Sequence, residues 1–251
     1  MLITEDVVEL STDTGMMRAQ IFRPTAEGKY PGLILFSEIF QITGPIQRSA
    51  RLMASNGFIV VVPEIFHEFE PMGTALPYTQ EGTDKGLQHR NAKLLSAFDS
   101  DARAAIDYLK ALPNCTGRLG CLGFCIGGHL SFRCAMNPEI LAASCFYASD
   151  IHRQDNSLER ASEIQAELLM IWGKQDPVIP WEGRDRVYRR LMELDCTFSW
   201  HEFNAEHAFM RDEGVRYNAT LAQISYAMTL EMFSRKLRPG DPLVAATENN
   251  T

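Results

Sequence analysis

No apolar run in this chain approaches the length of a membrane span: Phe58-Ile59-Val60-Val61-Val62 is among the longest, whereas a spanning helix needs roughly 18 such residues. The opening residues, Met1-Leu2-Ile3-Thr4-Glu5-Asp6, carry acid where an export signal needs positive charge. No basic run interrupts the acidic balance. With 24 Lys+Arg against 32 Asp+Glu the net charge is -8, so a phosphate backbone would meet repulsion and nucleic acid is not an expected partner. No C-x-x-C pair occurs among Cys115, Cys121, Cys125, Cys134, Cys145 and Cys196, and His67-Glu68-Phe69-Glu70-Pro71 breaks the H-E-x-x-H zinc pattern at its last position. These absences together predict a soluble, cytoplasmic protein with reduced thiols and no structural disulfides. They predict no metal, no cofactor and no membrane partner, and they leave the oligomeric state open.

What is there suits one sizeable core. The chain has 251 residues, 45% of them hydrophobic, a size at which α/β folds often form one unit, so residues 1–251 are expected to make one domain. Val7 to Leu10 and Met16 to Phe22 flank Asp13-Thr14-Gly15, which predicts an opening hairpin. Short apolar runs at Gly32 to Phe36 and Phe58 to Val62 enclose a helical pattern from Ile46 to Ser55, the alternation of parallel strands joined by helices. Phe66 to Gln88 is rich in proline, glycine and mixed charge and reads as a surface excursion. Phe98, Ala102, Ala105, Ile106 and Leu109 then recur at helical spacing, as a core face would. Further strands are expected near Leu119 to Phe124, Leu141 to Tyr147, Leu168 to Trp172 and Thr197 to Phe203, with helices from Ile126 and from about Val215 to Arg235. The sum is a mostly parallel sheet of about seven or eight strands flanked by helices, with a loose tail from about residue 240.

The chemistry is concentrated at Gly123-Phe124-Cys125-Ile126-Gly127-Gly128, between an apolar strand and a helix. This is a G-x-C-x-G nucleophile elbow, the cysteine form of G-x-S-x-G. The turn is too sharp for Cβ atoms beside it, and it lifts the central side chain out of the sheet to a helix N-terminus, where partial positive charge favours a thiolate. The plain alternative for Cys125 is a buried thiol in a glycine-rich turn. A nucleophile needs a base and an orienting acid, expected in the order nucleophile, acid, histidine. Asp176 follows the strand Leu168 to Trp172, and His207 follows the strand Thr197 to Phe203. Taken singly, an Asp before Pro is a turn signal and a loop histidine is ordinarily solvated; in this order, each beyond a strand, they complete a triad. The other histidines, His67, His89, His129, His152 and His201, read as structural or surface residues. Ser37-Glu38-Ile39-Phe40 follows the first central strand, so the backbone N–H groups of Ile39 and Ile126 are the expected oxyanion donors. On the residues alone Glu38 is either a solvated carboxylate or part of the site.

Those segments, together with Gly173-Lys174-Gln175-Asp176 and His207-Ala208-Phe209-Met210-Arg211, resemble the dienelactone hydrolase family of α/β-hydrolases from about Met16 to Phe233. The resemblance implies an α/β-hydrolase fold and a Cys-His-Asp triad of Cys125, His207 and Asp176 that opens a small ester or lactone through an acyl-enzyme. It implies that Glu38 holds the resting thiol protonated until substrate displaces it. The family also places an arginine at the spacing of Arg211, whose planar fork suits a substrate carboxylate; the alternative is a surface arginine paired with Asp212 or Glu213. In one place the chain departs from the pattern. Aligned on Lys93 to Asp99, a second family arginine falls at Gln88 and a family tyrosine at Ala92, with Arg90 close by but out of register. The resemblance therefore implies ester or lactone hydrolysis, of a neutral or anionic substrate, without fixing dienelactone itself. Two other readings stand beside it: a broader thioesterase or esterase, and a catalytically silent binding protein on the same fold.

Overall fold

The computed structural model describes residues 1–153 and 157–238; the tail expected from about residue 240 lies outside them. In chain order the elements are β1 (Ile3–Thr12), β2 (Gly15–Pro24), β3 (Tyr30–Phe36), α1 (Gly44–Ser55), β4 (Ile59–Pro63), α2 (Gln80–Ala92), α3 (Leu95–Ala111), β5 (Cys115–Phe124), α4 (Ile126–Cys134), β6 (Ile140–Phe146), β7 (Glu167–Gly173), α5 (Trp181–Glu193), β8 (Phe198–Phe203) and α6 (Ala219–Leu237). The strands form one sheet in the order β1-β2-β4-β3-β5-β6-β7-β8. β1 and β2 are the expected hairpin and β2 meets β4 antiparallel; every later pairing is parallel. This is the mostly parallel, helix-flanked sheet anticipated from the alternating pattern, and the α/β-hydrolase architecture that the resemblance implies.

The apolar runs became the central strands because parallel strands covered on both faces have no polar side to offer. Ile59 to Val62 and Leu33 to Leu35 are fully buried. From β3 the chain steps through α1 to β4 on one side, and from β5 it steps through α4 to β6 on the other. With right-handed crossovers, opposite steps put α1 and α4 on opposite faces. A crevice therefore opens between the C-terminal ends of β3 and β5, the place where ligands bind in open α/β sheets.

The excursion after β4 is only half irregular. Its second part, from Gln80, is α2, capped where the Thr79 hydroxyl accepts from the Gly82 N–H at 3.1 Å. This helix buries Gly82, Gly86 and His89 rather than aliphatic side chains, so it lacks the stripe that marks a core helix. Gly86 is the point of closest approach: a Cβ there would lie 2.5 Å from the Ile39 carbonyl oxygen. α2 is thus pressed onto the loop that follows β3. The closing helix starts at Ala219, later than the expected Val215, because the Asn218 side chain caps it by accepting from Leu221 N–H at 3.1 Å. No helix among the described residues is long and apolar enough to cross a membrane.

Candidate active site

Cys125 stands between β5 and α4 with φ 59° and ψ −120°, in a region that side-chain-bearing residues avoid. Its neighbours make that turn possible. A Cβ on Gly123 would sit 2.1 Å from the Gly127 carbonyl oxygen, and one on Gly127 would sit 2.2 Å from that of Phe36. The Cys125 N–H donates to Phe146 O at 3.1 Å, which ties the elbow to β6. The thiol is half-buried and directly precedes the first turn of α4; the N–H of Ile126, in that turn, has no acceptor within the helix. Among the described residues six non-glycine positions have positive φ, and Gln41, Cys125, Tyr147, Asp150 and Ala208 all lie on loops beside this end of the sheet. Each such backbone costs roughly 1–3 kcal/mol, and clusters of them mark sites where placement is favoured over relaxation.

Asp176 and His207 meet here from separate loops. The Asp176 carboxylate takes the His207 Nδ1 side at 2.7 Å, while its other oxygen accepts from the N–H groups of Val178 at 2.8 Å and Ile179 at 3.2 Å. Both side chains are buried, and the Tyr147 ring packs edge-on against the imidazole with centroids 5.0 Å apart. Burial opposes charge on that imidazole, but the Cys125 charge, hydrogen bonds with Asp176 and Cys125, and the Asp176 charge outweigh it and raise the His207 pKa to about 10. The arrangement sets an imidazole between a carboxylate and a thiol.

Glu38 is not a solvated carboxylate. It is buried, and Arg211 donates to it from Nε at 2.7 Å and Nη2 at 3.2 Å. The guanidinium lies over the rings of Phe40 and Tyr78, 5.0 and 4.7 Å from their centroids. Asp212 and Glu213, the sequence neighbours, are instead taken by Arg48 of α1 at 2.6 Å. The loop bearing Glu38 and Ile39 is fastened to the excursion: Leu76 N–H donates to Phe40 O at 3.0 Å, and the Gln41 amide bridges Thr74 O and Phe66 N–H, each at 3.1 Å. A small cavity of about 10 Å³ beside Glu38 and Arg211 is also lined by Phe124, Tyr147 and Met210.

Gln88 and Ala92 are exposed on α2. Arg90 is half-buried and pairs with Asp150 on the loop after β6, which also holds Arg153 at 2.9 Å. The preceding residue, Ser149, was given no role by the sequence; its N–H donates to Cys125 O at 3.1 Å and its hydroxyl lies 3.9 Å from the Cys125 sulfur. Nothing marks this serine in the sequence except its position beyond the strand next to the nucleophile's. Among the other histidines, His67 joins Glu68 and Asp101 in the one three-residue group among the described residues with metal-ligand spacing. The Lys93 ammonium already sits in that group, 2.6 Å from Asp101 and 2.7 Å from Glu68, so it supplies the positive charge a metal would bring. His129 is fully buried against Ser157 at 2.7 Å, and burial, then Arg133, lowers its pKa to about 3.

Residues 17–237 match the dienelactone hydrolase family. The chain is 38% identical to the “putative carboxymethylenebutenolidase” of Saccharomyces cerevisiae, over 95% of this chain and 94% of that protein. It is 26% identical to the carboxymethylenebutenolidase of Pseudomonas putida, over 93% and 97%. The crystal structure of a “putative dienelactone hydrolase” from Klebsiella pneumoniae superposes with a TM-score of 0.81 at 21% identity, covering 94% of this chain and all of that one.

Proposed function

The chain belongs to the dienelactone hydrolase family, and from that premise we propose that this carboxylic-ester hydrolase cleaves a small ester or lactone by a Cys-His-Asp triad and an acyl-enzyme. The observation that carries the reading is the hydrogen bond that orients His207 on Asp176, with Cys125 close enough to raise the His207 pKa, at the switch point of the sheet. The Cys125 thiolate attacks the carbonyl carbon, and the N–H groups of Ile39 and Ile126 take the developing oxyanion. The intermediate collapses with cleavage of the acyl C–O bond, and the leaving alkoxide takes the proton from imidazolium His207. What remains is a thioester on Cys125. His207, now neutral, deprotonates a water that attacks the thioester, releasing the acid and restoring the pair.

In the described conformation Glu38 is engaged by Arg211 and not by Cys125, which leaves His207 as the ionisable partner of the thiol. We read this as the thiolate state, the resting state being one in which Glu38 turns to the thiol and keeps it protonated. Such a gate limits oxidation of an accessible thiolate. Arg211 uses Nε and Nη2 on Glu38, which leaves Nη1 for an anionic substrate group. Turnover of dienelactones and short aryl esters by the wild-type protein, and its abolition in Cys125→Ala, tests this function. Equal hydrolysis by both proteins would remove the cysteine mechanism, and turnover of thioesters alone would move the substrate class.

A further inference from the structure

The sulfur of Cys125 has a neighbour that the triad does not include. Ser149 is buried, and its hydroxyl oxygen accepts from the Cys125 thiol at 3.9 Å, in the longer range of hydrogen bonds that involve sulfur; once the thiol is ionised the hydroxyl can only donate. Its backbone N–H holds the Cys125 carbonyl at 3.1 Å, so the serine grips the nucleophile residue at two points. The turn carrying it is over-determined. Tyr147 and Asp150 flank it with φ of 35° and 68°, and Asp150 is fixed from two sides by Arg90 of α2 and by Arg153. Strained backbone persists only where its surroundings force it, and here what it positions is a hydroxyl against the reacting atom.

A thiolate away from water needs donors. α4 supplies its N-terminus, and His207 supplies one N–H that must leave for the alkoxide when the first bond breaks. A hydroxyl rotates freely and gives its proton to whichever form needs it. We propose that Ser149 is a further catalytic residue, whose hydroxyl donates to the Cys125 thiolate and lowers the pH at which the nucleophile is available. This rests on Cys125 being the nucleophile.

The test is the pH dependence of iodoacetamide labelling of Cys125, followed by mass spectrometry of its peptide, in wild type, Ser149→Ala and Ser149→Thr. The alanine variant keeps the backbone N–H bond and removes only the donor. Its labelling midpoint should rise by about one pH unit, as for a lost hydrogen bond to a charged group. Below the midpoint its rate, and kcat/KM for an aryl ester, should fall roughly tenfold, with the deficit closing as pH rises and the thiol ionises unaided. Threonine should restore the profile. Coincident profiles for alanine and wild type would overturn the role, as would a deficit equal at all pH, which marks packing damage. The parent reading fails separately: Cys125→Ala would then retain hydrolysis whatever Ser149 does.

Discussion

Replacing Asp176 with asparagine changes one charge and almost no volume, which makes its consequence calculable. The carboxylate serves three groups: His207 Nδ1 at 2.7 Å and the N–H groups of Val178 and Ile179 at 2.8 and 3.2 Å. An asparagine must keep its oxygen toward the two backbone donors, since the opposite flip sets donor against donor. Its NH2 then faces Nδ1, which is forced to accept. The imidazole proton moves to the other nitrogen, and His207 can no longer take a proton there. The charge-assisted bond itself is worth about 1.5–3 kcal/mol. The wrong tautomer adds to this, and the same substitution in a serine triad lowers kcat by roughly 10⁴-fold. Asp176→Asn should therefore lower kcat for an aryl ester by between about 100-fold and 10⁴-fold while the protein stays folded, its melting temperature falling by no more than about 10 °C. Retention of more than about a tenth of wild-type kcat, under ~1.4 kcal/mol of barrier, would refute the orienting role.

The remaining predictions concern charge around the same thiol. In the thiolate state, held by a non-hydrolysable anionic substrate analogue, His207, raised to about 10 against burial by the Cys125 charge, should stay imidazolium through neutral pH and lose its proton as pH rises through about 10; in Cys125→Ala its proton should leave at lower pH, read from its ring NMR signals. Unchanged titration would exclude the ion pair. Arg211→Ala should cost about 1–3 kcal/mol in kcat/KM for an ester bearing a free carboxylate and leave a neutral ester nearly unaffected; equal losses would point to loop damage. Glu38→Ala strands a half-buried guanidinium, so it should lower stability by about 1–3 kcal/mol and change the pH profile of Cys125 labelling. A labelling profile identical to wild type would remove Glu38 from the gate.

Much of the site could be read from the chain because sharp turns have steep residue requirements. Gly123 and Gly127 admit no Cβ, so the elbow is written in glycine, and Asp176 and His207 follow from their places beyond β7 and β8. What the sequence concealed was carried by contacts between distant residues. Arg211 has two acids beside it in sequence, yet its partner is Glu38, 173 residues away, while Arg48 claims both neighbours. α2 was hidden because it packs through Gly82 and Gly86 instead of an aliphatic stripe. α5 went unread: its buried face is Gly183, Arg184, Val187 and Leu191, only two of them aliphatic, and Arg186, Arg189 and Arg190 surround it. Ser149 has no local signature, since its meaning comes from β6 lying beside β5.

The central claim is that the Cys125 sulfur carries the acyl group. The direct measurement is mass spectrometry of enzyme quenched in acid during turnover of a slowly deacylating aryl ester. The account predicts an added acyl mass on the peptide containing Cys125 that disappears as substrate is exhausted. Steady turnover with no adduct, or an adduct on another side chain that persists in Cys125→Ala, would contradict it.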